Sequence, residues 1–213
     1  MSTPIELNAI LNQNITLVYD LLDLKSIDTR QLKTLLNSQT GPMLMDTPEM
    51  IVAVYPSEQI VLQIGDNRIR ITLQKGTEDV SNSRLGEFAT KCHKLVPKNQ
   101  SKLTAYGFNY DLLINAHDSS SQLLKDLFVK DEEKINSILE GTLQTIVPRL
   151  RFTRNKNRYD LILEPVNDSE FKAHMNAHFV SNQLPTTKKI KLSFEQEYSY
   201  LVEIMLRVTK RSN

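Results

Sequence analysis

The chain has 213 residues, of which 40% are hydrophobic and 24% charged, with 26 Lys and Arg against 25 Asp and Glu. This composition is typical of a globular protein that buries a real core, and it argues against wholesale disorder. The formal charge of +1 provides no global attraction to nucleic acid or to an anionic membrane, so any such binding must come from a local patch.

Cysteine content and the termini bear on compartment and cofactors. The single cysteine excludes an intrachain disulfide framework and a cysteine-rich zinc site, and it points to a reducing compartment. The N-terminus has no basic region followed by an apolar run, and no apolar run approaches the roughly 18 residues of a membrane helix. Six scattered glycines form no phosphate-binding loop. We therefore expect a soluble cytoplasmic protein without a membrane contact, a metal or a cofactor.

The first elements predicted are a strand and a capped helix. Residues 15–22 alternate between apolar and polar side chains, which indicates a strand. Asp28, with Gln31 three residues later, forms a capping box that predicts the start of a helix. Residues 50–55 predict a second strand, which Pro56 ends.

The clearest local signal in the first half is a β-hairpin. Residues 60–64 and 69–73 alternate on either side of Asp66-Asn67, two residues that tolerate the positive φ of a tight turn. A two-residue loop places the Ile and Leu side chains on one face and pairs Gln63 with Arg70 on the other. The apolar face is expected to be buried.

Helices and a strand alternate from here to residue 140. Residues 85–96 carry apolar side chains at helical spacing, and residues 106–114 alternate as a strand. Ser119, with Gln122 as its capping-box partner, predicts another helix. Residues 130–140 predict a short amphipathic helix.

A second hairpin pairs Phe152 with Tyr159 and Arg151 with Asp160 across a loop of residues 154–157.

The C-terminal part is expected to hold one more strand and a last helix. Alternation over residues 171–179 favours a strand, although a helix remains open for this segment. Pro185 and the lysines at 188–189 indicate a linker. Ser193, with Gln196 as its capping-box partner, predicts the start of the last helix.

The two halves share an order of elements that suggests an internal duplication. The residues Tyr-Asp-Leu-Leu occur at 19–22 and again at 110–113, a shift of 91 residues. The same shift carries the helix cap Asp28 onto the helix cap Ser119. A shift shorter by one residue carries Arg68 onto Arg158. The alternative is that two α+β units share these residues by chance.

The predicted fold class is therefore α+β, with antiparallel sheet and with helices on one face. Residues 1–98 form the first half, and residues 99–213 form a second, related half with an extra strand and the C-terminal helix. Together they are expected to form one compact pseudo-symmetric unit.

This doubled strand–helix–hairpin–helix order is similar in outline to the saddle of the TATA-binding protein family. The resemblance is architectural, because the chain shares no motif with that family and its near-neutral charge departs from it. It implies an arrangement of elements and no DNA-binding residues.

The first candidate site is a basic patch on the second hairpin. No acidic residue interrupts its run of basic side chains, which are Arg149, Arg151, Arg154, Lys156 and Arg158. Cations of this kind bind phosphates, and nucleic-acid binders add aromatic stacking platforms. Strand parity, however, buries Phe152 and Tyr159, and Arg151 opposite Asp160 is an ordinary cross-strand ion pair. The patch is thus either a nucleic-acid or phosphate site or a solvated face.

The second candidate is a pair of carboxylates, Asp20 and Asp111, with Asn109 beside the latter. They hold equivalent positions in the repeated motif, so a pseudo-twofold axis could bring them together as an acid–base couple. The alternative is that both face solvent or an arginine.

Histidines form the third candidate. His174 and His178 have metal-ligand spacing on a helix, but on a strand they lie about 13 Å apart, which is too far for one ion. With Asn176 they would then line a polar ligand face. No metal site is expected. Cys92 falls in the apolar stripe of its helix and is expected to be a buried structural thiol.

The leading functional hypothesis is a non-enzymatic binding protein, such as an adaptor, an assembly factor or a regulatory subunit. It rests on the lack of a catalytic motif and on the availability of sheet faces and edges. A protein partner is expected, and a homodimer through a sheet edge or the last helix is one form of it. The alternatives are a nucleic-acid-binding protein that uses the basic patch and an enzyme that uses Asp20 and Asp111.

Overall fold

A computed structural model describes residues 5–35, 41–74, 80, 83–97, 99–116 and 119–209. In chain order the strands and helices are β1 (Glu6–Tyr19), α1 (Thr29–Leu32), β2 (Met43–Asp46), β3 (Ile51–Tyr55), β4 (Ile60–Gly65), β5 (Arg68–Leu73), α2 (Leu85–Leu95), β6 (Leu103–Asn115), α3 (Ser120–Phe128), α4 (Glu132–Leu139), β7 (Arg149–Arg154), β8 (Asn157–Pro165), β9 (Glu170–Val180) and α5 (Thr187–Thr209).

The nine strands form one sheet with the order β2-β3-β4-β5-β1-β6-β9-β8-β7, and every neighbouring pair is antiparallel. The two longest strands, β1 and β6, lie side by side at its centre, from the pair Glu6 and Asn115 to the pair Tyr19 and Leu103. The prediction of an α+β fold with an antiparallel sheet is confirmed.

Both predicted hairpins form in the predicted register. In β4–β5, Ile64 pairs with Ile69 and Gln63 with Arg70. The same agreement holds for the second hairpin, β7–β8, where aromatic residues pair at one position and an arginine pairs with an aspartate at the next. Two-residue turns with positive φ close both hairpins, at Asp66-Asn67 and at Asn155-Lys156. This conformation matches the twist of the strands, which explains why local sequence sufficed.

The core lies between the sheet and the helices. Alternate residues of the central strands are fully buried, as Ile15 and Phe108 illustrate. Helix α2 contributes Phe88, which contacts the ring of Tyr55 edge-on at 5.5 Å. Helix α5 contributes Phe194, whose ring lies 5.3 Å from that of Phe108.

Two boundaries differ from the sequence prediction. Helix α5 begins at Thr187, so the expected linker at 188–189 is wrong and Ser193 lies inside the helix. Thr186 explains the earlier start, because its carbonyl accepts from the N–H of Ile190. Strand β1 begins at Glu6 instead of residue 15. The segment 171–179, left open between strand and helix, lies within strand β9.

The sheet order bears on the proposed duplication. In the described ranges five strands precede α2 and four follow it, whereas the extra strand was expected in the second half. Arg68 lies on β5, directly beside β1, but Arg158 lies on β8, which β9 separates from β6. These two arginines thus hold different places relative to the central pair, and the duplication itself stays a prediction.

Candidate functional site

The side of the sheet that faces away from the helices is the largest exposed surface built from regular strands. Because side chains alternate along a strand, the residues next to each buried position point to this side. They are partly or fully exposed in most strands, as the burial patterns of β5, β8 and β9 show. We call this surface the uncovered face.

Three asparagines form a hydrogen-bonded row across the centre of the uncovered face. Asn14 on β1, Asn109 on β6 and Asn176 on β9 are register partners. The Nδ2 of Asn176 donates to the Oδ1 of Asn109, and the Nδ2 of Asn109 donates to the Oδ1 of Asn14 at 2.7 Å. Thr16 donates to the same Oδ1 at 3.2 Å. The side-chain amides are therefore held in a common orientation; Asn176 and Asn109 each use one of their two N–H groups in the row, and Asn14 only accepts.

The next row across the uncovered face has an arginine at each of its two ends. Register pairing aligns Arg70, Thr16, Gly107, His178 and Arg158 across five strands. The backbones of the two arginines are thus about 19 Å apart, since neighbouring strands lie roughly 4.8 Å apart. A Cβ at position 107 would lie only 3.3 Å from the carbonyl oxygen of Ala177, a tight contact that glycine avoids. The residues of the two rows other than Arg158 line a depression of about 520 Å³, and Arg158 lines an adjoining recess together with Asn176 and His178.

Three arginines of the uncovered face differ in pairing from Arg149 and Arg151 of the predicted basic patch. Arg68, Arg70 and Arg158 form no salt bridge within the described part of the chain. Unpaired guanidinium groups are free to bind carboxylates or phosphates.

Two arginines of the predicted basic patch, Arg149 and Arg151, share the carboxylate of Asp160 as their ion-pair partner. Asp160 accepts from Arg149 through both carboxylate oxygens and lies 3.5 Å from Arg151. The hydrogen bond from Arg149 outweighs burial and holds the pKa of Asp160 below its usual value. The expected cross-strand pair with Arg151 is present, but Arg149 makes the closer contact.

The rest of the predicted patch is divided between surfaces. Arg154 lies 3.8 Å from Glu197 and stacks on the ring of Tyr200, so it belongs to the contact between the hairpin and α5. Lys156 lies in the turn. Arg158 lies in the same register row as His178, lines an adjoining recess, and forms no salt bridge within the described part of the chain.

A carboxylate–imidazole pair lies next to the asparagine row. The Nδ1 of His174 is 2.7 Å from the Oδ1 of Asp111, and Lys172 lies 4.0 Å from the same oxygen. Burial raises the pKa of Asp111, but the hydrogen bond and charges of its partners outweigh burial and leave that pKa below its usual value. Burial, reinforced by Arg158, lowers the pKa of His178, so this ring is neutral at pH 7.

The two predicted catalytic carboxylates are not brought together. Asp20 follows the end of β1, where its Oδ1 accepts from the backbone N–H groups of Lys102 and Leu21 at 2.8 and 2.7 Å. Asp111 pairs with Asn12, which precedes Asp20 by eight residues along β1. The backbones of Asp20 and Asp111 are therefore about 27 Å apart. This separation excludes their action as one acid–base couple.

Sequence reasoning placed part of this site and missed part of it. The hairpin register already put Arg70 on the polar face. Asn14 was missed because the strand was expected to begin at residue 15, and Gly107 had no signal of its own. His174, Asn176 and His178 do line a polar face, as predicted for a strand.

Two searches of the described residues concern metals and membranes. They contain no group of three or more His, Cys, Asp or Glu side chains that could hold a metal ion. Within the same ranges, each helix is too short or too polar to cross a membrane.

Comparison with known proteins gives little further information. No known protein family matches the chain, and no curated protein matches it. Among solved structures the chain is similar to Methanococcus jannaschii TBP, with 11% sequence identity and a TM-score of 0.34 over 95% of this chain and 97% of that chain. At this identity and score, function has to be inferred from the residues themselves.

Proposed function

We propose that the protein is a non-enzymatic binding protein that docks an acidic partner protein on the uncovered face. The observation that carries this proposal is the pair of unpaired arginines at the two ends of one row across five strands, with Arg70 in the depression and Arg158 in the adjoining recess. Three oriented asparagine amides lie between them in the adjacent row. Such an arrangement offers charge and directional hydrogen bonds to an extended anionic surface.

An apolar region borders this cationic depression. On the same face, the strands β2, β3 and β4 carry Met43, Met45, Val52, Val54 and Val61. Met43 and Met45 are more than half exposed. We call these five residues the apolar flank. A surface that combines exposed apolar side chains with arginines is typical of protein–protein interfaces.

A protein partner fits this face better than a nucleic acid. The aromatic side chains of β6, Tyr106, Phe108 and Tyr110, are buried on the helix side, so they offer no stacking platform for bases. The apolar flank suits apolar side chains of a protein partner, which a phosphate backbone lacks.

Binding is also favoured over catalysis. The depression lies on a sheet face whose side chains are partly exposed, whereas catalytic sites usually exclude water from the reacting groups. Its closest acid–base pair, Asp111 and His174, also contacts Lys172, which suits a role in orienting side chains.

The test compares two doubly substituted variants with the wild type in capture from native lysate, with and without nuclease. The first variant is Arg70→Glu with Arg158→Glu. The control is Lys188→Glu with Lys189→Glu, which makes the same charge change at exposed positions of α5. One unit charge at 4 Å contributes about 1 kcal/mol in water, so each reversal should remove roughly 2 kcal/mol, or about 30-fold in affinity.

The expected result is a stoichiometric protein partner that survives nuclease, remains with the control and is lost from the Arg70 and Arg158 variant. Equal recovery of that partner by both variants would remove the uncovered face as its site. Recovery of nucleic acid, with loss of proteins after nuclease, would replace the protein partner by a nucleic-acid ligand.

A further inference from the structure

A second recess lies where the end of α2 meets the start of α5, and we call it the α2–α5 cleft. It has a volume of about 790 Å³, within the range of small-molecule pockets. The second half of α2, the start of β6 and the loop that leads into α5 form its walls. None of its lining residues belongs to the uncovered face, so the cleft is independent of the function proposed above.

The charge of the cleft is positive. Lys94 and Lys102 are exposed at its wall and His93 lies beside them, while the residues described as lining it include no carboxylate. The nearby Asp20 accepts from backbone N–H groups, one of them that of Lys102. Thr187, the first residue of the 23-residue α5, also lines the cleft, so the positive end of a long helix adds to the lysines.

An unsatisfied hydroxyl lies in the same wall. Ser101 is 6% exposed, and its Oγ has no hydrogen-bond partner among the described residues. A buried hydroxyl without a partner is unfavourable, and an oxygen atom held in the cleft would satisfy it. This observation is separate from the helix terminus and from the lysines.

Tyr19 holds the imidazole of His93 in place at the wall of the cleft. The hydroxyl of Tyr19 lies 2.9 Å from the Nδ1 of His93, and the two rings are stacked. Burial raises the pKa of Tyr19 well above its usual value, so this hydroxyl keeps its proton and can donate to Nδ1. The ring of His93 is therefore held in a fixed orientation at the wall of the cleft.

We propose that the α2–α5 cleft binds a small organic anion. Its carboxylate or phosphate group contacts Lys94, Lys102 and the start of α5, and its apolar part lies against Leu184 and Pro185. The volume exceeds that of an inorganic anion alone, which is why the ligand class includes an apolar part.

The test is a titration of the ¹⁵N-labelled full chain with two probes, octanoate and inorganic phosphate, followed by NMR. The expected result is a saturable shift of the backbone amides of residues 101–103, 183–184 and 186–188 by at least one probe. Lys94→Glu with Lys102→Glu should weaken that binding by about tenfold or more. Arg70→Glu with Arg158→Glu makes the same charge change on the uncovered face and should leave it unchanged.

Each outcome decides the proposal. Binding of octanoate alone identifies a carboxylate with an apolar tail, and binding of phosphate identifies a phosphate ester. The proposal is overturned if neither probe shifts these amides up to about 10 mM, a range that detects affinities near 1 mM. It is equally overturned if the lysine variant, with an otherwise unchanged spectrum, binds as tightly as the wild type. Failure here would leave the uncovered-face proposal intact, because the two sites share no residue.

Discussion

The attachment of α5 to the sheet depends on Phe194, and its removal should be among the most damaging single changes. This side chain is 2% exposed. Its ring lies 5.3 Å from that of Phe108 in a perpendicular arrangement and 4.8 Å from that of Tyr110. Phe194→Ala deletes both ring contacts and leaves a cavity between α5 and β6.

The expected loss is about 4 kcal/mol in the free energy of unfolding. Truncation of a buried phenylalanine costs about 3–5 kcal/mol, and aromatic pairs account for about 0.5–1.5 kcal/mol each beyond the buried area. Domains of this size typically have about 5–15 kcal/mol in total, so the variant should still fold. Its melting temperature should fall by about 10 °C, at roughly 2–4 °C per kcal/mol.

Urea unfolding with linear extrapolation measures this loss. The matched control is Leu192→Ala, a truncation on the same helix at a side chain that is 53% exposed, where a change within about 0.5 kcal/mol is expected. A loss below about 1 kcal/mol for Phe194→Ala, or an equal loss for both variants, would refute the account of α5 as a packed wall of the core.

Three further predictions concern single groups. Burial raises the pKa of Cys92 to about 12, so this thiol should react with a thiol reagent only in the presence of denaturant. The pKa of Asp111 is depressed in the folded state, so its stabilisation is present above the unfolded value near 4 and is lost as the pH falls through the folded value. The stability difference between wild type and Asp111→Asn, measured by urea unfolding, should therefore shrink as the pH falls below about 4 towards pH 2; an undiminished difference at pH 2 would contradict the lowered pKa of Asp111. Ser101→Ala should raise the free energy of unfolding by about 1 kcal/mol, because it removes a buried hydroxyl without a described partner, and a loss of that size would show that the hydroxyl is satisfied.

Features set by neighbouring residues were predictable from the sequence, and features set by bulges were not. The turn residues Asp66 and Asn67 fix the register of their hairpin through local backbone geometry alone. Strand β1, by contrast, has register shifts between Leu7 and Ala9 and again farther along the strand, and these interrupt the alternation that marks a strand. Its first nine residues were therefore missed.

The candidate site shows the same limit on a larger scale. Strand parity predicts the face on which Arg70 or Arg158 lies, because it depends only on alternation. Whether an arginine is neutralised depends on which carboxylate another strand brings near it, as Asp160 does for Arg149. The distance between the two unpaired arginines depends on strand order, in which β9 separates β8 from β6. No local pattern specifies that order.

The central pairing of β1 with β6 has a consequence for how the chain reaches its native state. It joins residues roughly 100 positions apart, such as Tyr19 and Leu103, so the sheet cannot close until both parts of the chain are present. During synthesis β1 can pair with β5 first, which leaves its other edge unpaired until β6 is made. Slow folding and a risk of edge-to-edge association between nascent chains follow from this topology, and a truncated chain ending before β6 should aggregate.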